Sequence, residues 1–283
     1  MEKAKAQISG YLGPRPAGPV ARNQEQHNLS SNAAAAFDAT ETGDIKLSKS
    51  LREFKFMSFD VVGTLIDFEG GLTSCLNEIA AEAGVTIDGE EALNLYRAAR
   101  YSEDAGLFPD DLVRVYNAIA PILSLPVDAS CGERLRDSAK TWKAFPDSAE
   151  AMARLARDYR LIAMTNARHW AFEYFSAALG DPFHAAFTVD DTGTEKPDPA
   201  FFQQVFDFVA DEGANKNDIL HVAQSQYHDI GVSRELGMTN CWIERRHAVK
   251  GYGGTIEPAE FTKPDYHFTS MVGLANAATA ARS

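Results

Sequence analysis

Cysteine is scarce in this chain: only Cys75, Cys131 and Cys241 occur among 283 residues. Their wide, irregular spacing excludes a metal knuckle and an even disulfide framework, and it suits a reducing cytoplasm. Long apolar runs are missing as well. No stretch of about 18 apolar residues offers a membrane span. The N-terminus lacks a short apolar segment ahead of a cleavage site, so the expectation is a soluble, cytoplasmic protein with no membrane partner. Positive charge is in deficit, with 27 Lys and Arg against 40 Asp and Glu and a formal net charge of -13. Binding to a phosphate backbone needs clustered cations to displace counterions, so nucleic acid is excluded as an expected partner. A small anionic substrate would have to be captured by local positive charge inside a site, because the overall field repels it.

What is present is the composition of an ordinary folded protein. Hydrophobic residues make up 45%, charged residues 24% and aromatic residues 10% of the sequence, which is ordinary for a globular protein. The length allows one large α/β domain with a smaller insertion. Residues 1–52, with Pro14, Pro16 and Pro19 close together and little apolar periodicity, read as a flexible N-terminal arm. Its few apolar residues, Ile8, Tyr11 and Leu12, leave open docking on the core or contacts between two copies in a homodimer.

Order is expected to begin at Phe54–Asp60, an aromatic and apolar run that ends in an acid and is followed by Gly63. That pattern predicts a buried strand feeding a turn, with Asp60 at its carboxyl end. Leu72, Cys75, Leu76 and Ile79 then fall at i, i+3, i+4 and i+7, and helical texture continues to about Trp142. Beyond Pro146, strand-like and helical runs alternate. Strands are predicted at Leu161–Met164, Ala186–Val189, Ile219–Ala223 and Cys241–Ile243, with a last edge strand over Pro264–Phe268. Helices are predicted at Trp170–Leu179, Pro199–Val209 and Ile230–Leu236, and from Met271 onward. Alternation of this kind marks βαβ units. The predicted fold is therefore α/β: a Rossmann-like, doubly wound parallel sheet formed by residues 53–68 and 146–283, with a helical cap inserted over 69–145.

In such a sheet, ligands bind beyond the carboxyl ends of the strands. The polar residues there are Asp60 and Thr64, then Thr165-Asn166, then Lys196-Pro197-Asp198, then Gln224-Ser225 through Asp229. A carboxylate nucleophile must stay ionised while partly desolvated, and an adjacent ammonium favours its charged form. At about 4 Å and an effective dielectric near 20 that attraction is roughly 4 kcal/mol, which makes Lys196 the natural partner of Asp60. The hydroxyls of Thr64 and Thr165 are candidate donors to the same oxygens.

These four segments, Asp60-Val61-Val62-Gly63-Thr64-Leu65, Thr165-Asn166, Lys196-Pro197-Asp198 and Ala223-Gln224-Ser225-Gln226-Tyr227-His228-Asp229, resemble the ordered motifs of the haloacid dehalogenase superfamily. The resemblance covers the chain from about residue 54. It implies a Rossmann-like core with a helical cap, and a hydrolase that forms a covalent ester on Asp60. Phosphatases of the superfamily carry a second Asp two positions after the nucleophile, where this chain has Val62, and another acid where it has Gln224. Both differences point to the 2-haloacid dehalogenase branch, which works without metal, because a halide leaves as a stable anion and needs no acid. The implied substrate is a small 2-haloalkanoic acid.

By the same resemblance Asp60, Lys196 and Asp229 form the catalytic set, with Asp229 helping to activate the water that hydrolyses the ester. Thr64, Thr165, Asn166 and Ser225 are expected at the substrate. Arg97, within Leu95-Tyr96-Arg97-Ala98-Ala99-Arg100-Tyr101, matches the cap arginine that receives the departing halide, and Arg100 follows three residues on. The chain departs from the branch where Val62 and Phe202 stand in place of Tyr and Gln226 in place of Asn. No cofactor is expected. Two alternatives stand beside this one. One is a Mg²⁺-dependent, phosphatase-like hydrolase with the ion held by Asp60, the Val62 backbone and Asp229. The other is a catalytically silent binding protein. Trp170, Tyr174 and Tyr227 are candidate pocket aromatics, His169 and His228 have no evident nucleophilic partner, and Arg245-Arg246-His247 reads as a solvated strand end.

Overall fold

The computed structural model describes residues 49–282. Most of the arm expected over residues 1–52 lies outside that range. Its last residues belong to the core, because a 3-10 turn over Leu51–Glu53 buries Leu51. Strand β1, Phe56–Asp60, is buried at every position, as a central strand covered on both faces requires. The turn after it depends on Gly63, whose φ is 90° and whose N–H donates to the Ile66 carbonyl at 2.8 Å. A side chain there would be strained in this left-handed conformation, and its Cβ would lie 3.2 Å from the Phe68 ring.

Four helices follow: α1 (Phe68–Glu82), α2 (Gly89–Arg100), α3 (Leu112–Ile119) and α4 (Ala129–Ser138). Asp67, Asp88 and Asp128 cap α1, α2 and α4 by accepting from backbone N–H groups. The predicted row Leu72, Cys75, Leu76 and Ile79 is the buried stripe of α1. The chain leaves and re-enters the core through two adjacent segments. An antiparallel bridge pairs Ile66 with Ala144, Asp67 N donates to the Lys143 carbonyl and Phe145 N to the Leu65 carbonyl, both at 2.9 Å.

The remainder alternates as α5 (Ser148–Leu155), β2 (Arg160–Met164), α6 (His169–Ala178), β3 (Ala185–Phe187), α7 (Pro199–Asp211), β4 (Ile219–Ala223), α8 (Gly231–Glu235), β5 (Thr239–Ile243), β6 (Tyr266–Phe268) and α9 (Met271–Ala280). Two local differences from the sequence reading have clear causes. Val189 is not the end of a strand; it opens a single helical turn whose cap, Thr188, is bonded through both N–H and hydroxyl to Asp191. The helix predicted from Ile230 starts earlier, as a π-turn over Gln226–Ile230, because Ser225 Oγ accepts from His228 N at 2.9 Å.

The six strands form one sheet in the order β3-β2-β1-β4-β5-β6, and every neighbouring pair is parallel. On one face Phe56, Ile162, Met164 and Ile219 pack against Phe201, Phe202, Val205 and Val209 of α7. On the other, Met57, Phe59, Leu161, Leu220 and Val222 join a larger cluster with α5, α9 and the inserted helices. Strand order reverses at β1 and β4, so a crevice opens beyond their carboxyl ends. Among the described residues no helix is long and apolar enough to cross a membrane.

Candidate active site

The crevice contains a small cavity of about 80 Å³. Each predicted strand-end segment reaches it. Asp60 comes from the end of β1, Thr165 and Asn166 follow β2, Lys196 precedes α7, and Gln224, Ser225 and Asp229 follow β4. Lys196 Nζ donates to Asp60 Oδ1 at 2.9 Å and to Asp229 Oδ1 at 2.6 Å, and all three groups are buried. Thr64 Oγ1 donates to Asp60 Oδ2 at 2.6 Å and accepts from Gln224 N at 2.8 Å, which ties the β1 turn to the β4 loop.

Two of the residues expected at the substrate, Thr165 and Asn166, line the cavity and also make local contacts. The Asn166 side chain spans the Lys196 backbone, donating to its carbonyl at 2.9 Å and accepting from its N–H at 2.7 Å. It thereby fixes the lysine. Thr165 Oγ1 accepts from Ala167 N at 3.1 Å. Ser225 Oγ lies 3.0 Å from His228 Nδ1 at the cavity wall.

Arg97 is not at the cavity. Its guanidinium donates to the Gly253 carbonyl and to Asn94 Oδ1. Arg100 is there instead, 6% exposed, bonded to Glu195 Oε1 at 3.0 Å and beside the rings of Tyr101 and Phe108. The helical period decides between them. The buried face of α2 is Ala92, Leu93, Tyr96, Ala99 and Arg100, and Arg100 lies four residues after Tyr96 on that face whereas Arg97 is turned away. Glu195 and His228, which also line the cavity, carried no such mark in the sequence. Val62, Phe68, Tyr96 and Phe108 supply its apolar wall.

Of the aromatic candidates, Tyr174 and Tyr227 are exposed and Trp170 bonds Asp110, and none of the three lines the cavity. Arg245 and Arg246 are not solvated. Arg245 holds the Thr64 carbonyl at 2.9 Å and Asp147 at 2.8 Å, so it braces the turn after Asp60 from outside, and Arg246 pairs with Glu69 and Glu90.

The electrostatics separate the two carboxylates. Burial pushes Asp60 above its ordinary 3.8, with Lys196 opposing and Asp229 adding to the rise. Asp229 is also buried, but Lys196 and the donating His221 outweigh that and hold it down to about 2. Burial acts to lower Lys196, yet the two carboxylates raise it above its ordinary 10.5. Burial lowers His228 to about 4, so its ring is neutral at neutral pH. The trio therefore carries one net negative charge, and Asp60 is the more basic carboxylate, the one suited to attack carbon.

Residues 54–230, more than half of the chain, match the haloacid dehalogenase-like hydrolase family. The chain belongs to that family. Haloacid dehalogenase-like hydrolases are also its structural neighbours. The L-2-haloacid dehalogenase of Xanthobacter autotrophicus superposes with a TM-score of 0.62 at 22% identity, covering 79% of this chain and 97% of that one. The same enzyme with chloropropionic acid covalently bound gives 0.60 at 20% identity, covering 79% and 97%. A HAD-hydrolase of Bacillus subtilis bound to magnesium gives 0.64 at 16%, covering 80% and 99%. At these identities the likeness shows the fold. No curated protein matches the chain by sequence.

The donor set of this haloacid dehalogenase-like hydrolase fits Mg²⁺ poorly. A hard divalent cation takes about six oxygens and several negative charges. Here both oxygens of Asp60 and one of Asp229 already accept hydrogen bonds, Lys196 stands between the acids, and Val62 and Gln224 add no charge. Among the described residues no group of three or more His, Cys, Asp or Glu is placed to hold a metal ion.

Proposed function

We propose that this chain is a metal-independent hydrolase that displaces halide from carbon 2 of a small carboxylate through an ester on Asp60. The observation that carries this reading is the pairing of a lysine-held, desolvated Asp60 with Val62 at the position where a leaving-group acid would stand. Attack by an Asp60 oxygen forms a C–O bond as the C–X bond breaks and X⁻ departs, so no proton donor is needed. Water then adds to the Asp60 carboxyl carbon and gives a proton to Asp229. The alkoxide of the 2-hydroxy acid leaves and recovers a proton, restoring the Asp60 carboxylate. The sum is R–X plus water giving R–OH, X⁻ and H⁺. The cavity suits a substrate of a few heavy atoms, and Arg100, which shares its guanidinium with Glu195, offers charged N–H donors to an anion there.

The test is halide release from a panel of short 2-halocarboxylates with EDTA present. Release in EDTA supports the proposal. Absence of release, together with Mg²⁺-dependent phosphate release from phosphate esters, overturns it in favour of the phosphatase-like alternative.

Arg100→Ala should lower halide release by about a hundredfold or more, the usual cost of deleting one charge-stabilising donor. Arg97→Ala should stay within about threefold of the parent, as expected of a contact away from the cavity. Steady-state kinetics of the two variants decide which arginine serves the site, and equal losses would count against Arg100.

A further inference from the structure

Behind Asp229 lies a buried pair that the reaction outlined above does not use. Ser58 in the middle of β1 and His221 in β4 are register partners in the parallel sheet, so their side chains project side by side on the same face. Both are fully buried. Ser58 Oγ is 2.9 Å from His221 Nδ1, and His221 Nε2 is 3.1 Å from Asp229 Oδ1. The Phe202 ring packs edge-on against the imidazole at 5.5 Å.

The tautomer follows from the partners. An ionised carboxylate only accepts, so Nε2 carries a proton and donates to Asp229, and in the neutral ring Nδ1 then accepts from the Ser58 hydroxyl. A neutral imidazole in a sheet core is costly unless both nitrogens are paired, and an apolar residue would fill the place more cheaply. The result at Asp229 is asymmetric. Oδ1 takes two donors, Lys196 Nζ and His221 Nε2, whereas Oδ2 is buried without a hydrogen-bond partner. Asp229 also lines the cavity that holds Asp60.

We propose that Ser58 and His221 act as a positioning pair, pinning Oδ1 of Asp229 so that Oδ2 is presented to the water that hydrolyses the Asp60 ester. This rests on the ester mechanism above and assigns the pair to its second half alone. The bond to carbon forms without Asp229. Only the later step needs its free oxygen, which takes a proton from water as the O–C bond forms at the Asp60 carboxyl carbon.

The experiment compares the native protein with His221→Phe, His221→Gln and Ser58→Ala on 2-chloropropionate, by steady-state kinetics and by intact-protein mass after acid quench. In His221→Phe, kcat is expected to fall by about a hundredfold, the cost of misplacing a catalytic group by about 1 Å. KM should fall in parallel, leaving kcat/KM unchanged because it reports only steps through ester formation. The ester adduct should accumulate on the protein. His221→Gln, which keeps an N–H donor, should recover most of the rate. Loss of kcat/KM together with kcat, or a slow variant with no adduct, overturns the proposal. Failure of the native protein to release halide sinks the dehalogenase reading instead, and the pair is then judged by ¹⁵N NMR of His221. An Nε2–H tautomer that is disturbed in Ser58→Ala supports the pairing, and an Nδ1–H tautomer overturns it.

Discussion

Asp60→Asn is expected to abolish halide release, by about 10⁴-fold or more, without unfolding the protein. The amide oxygen is a far weaker nucleophile than a carboxylate, and the amide N–H₂ would face Lys196 Nζ or Thr64 Oγ1, both of which donate to Asp60 in the native chain. Lys196 keeps its ion pair with Asp229 at 2.6 Å, so no buried charge is left alone and the fold has little reason to weaken. Halide release, the mass of the quenched protein and thermal unfolding together check the expectation. A variant that still forms an ester at the native rate would remove Asp60 from the role of nucleophile.

Lys196→Met has the second largest expected effect, and it reaches stability as well as rate. It leaves the buried carboxylates of Asp60 and Asp229 without their shared ammonium. Breaking a buried ion pair on one side costs about 3–5 kcal/mol. Part of that is relieved by protonating Asp60, the acid that burial already raises above 3.8. The sign for activity follows. The reactive form of Asp60 is deprotonated, so ester formation declines as pH falls through its raised pKa. In the native chain that acidic limb should have its midpoint above 3.8, and in Lys196→Met it should move further up, so the variant is slowest at low pH and recovers in part as pH rises. Single-turnover rates against pH and a urea unfolding curve are the checks. An unshifted limb would mean that Lys196 does not hold the nucleophile's charge.

The stability that Asp229 contributes is lost in the same direction, toward acid, but over a lower pH range. Its folded carboxyl lies well below the ordinary value, at about 2. Its contribution is present above the unfolded pKa and is lost as pH falls toward the folded one.

The order of motifs along the chain was sufficient to assemble Asp60, Lys196 and Asp229, because each stands at a strand end and the sheet order brings those ends together. Strand positions were legible for a similar reason: runs such as Phe56–Asp60 and Ile219–Ala223 are buried on both faces and are mostly apolar. Arg100 and Arg97 differ only in the direction they face on one helix, and choosing between them required applying the helical period to the single segment rather than to the motif. Glu195 was not legible at all, since its partner Arg100 is far away in sequence. His221 was hidden by its surroundings. A histidine within an apolar strand reads as a tolerated core residue until the register with Ser58 shows what each nitrogen meets.

The two segments that join the inserted helices to the sheet are bonded to each other at Ile66 and Ala144, and the insertion is also fastened along its side by ion pairs of Arg246 with Glu69 and Glu90, Arg168 with Asp110 and Arg100 with Glu195. The spacing of Asp60, Lys196 and Asp229 is set by the sheet, whereas Phe68, Tyr96, Arg100 and Phe108 of the cavity wall come from the insertion. Wall and charged trio thus come from different stretches of chain, so a foreign helical segment grafted between residues 67 and 143 should preserve the trio only where it restores those lateral ion pairs.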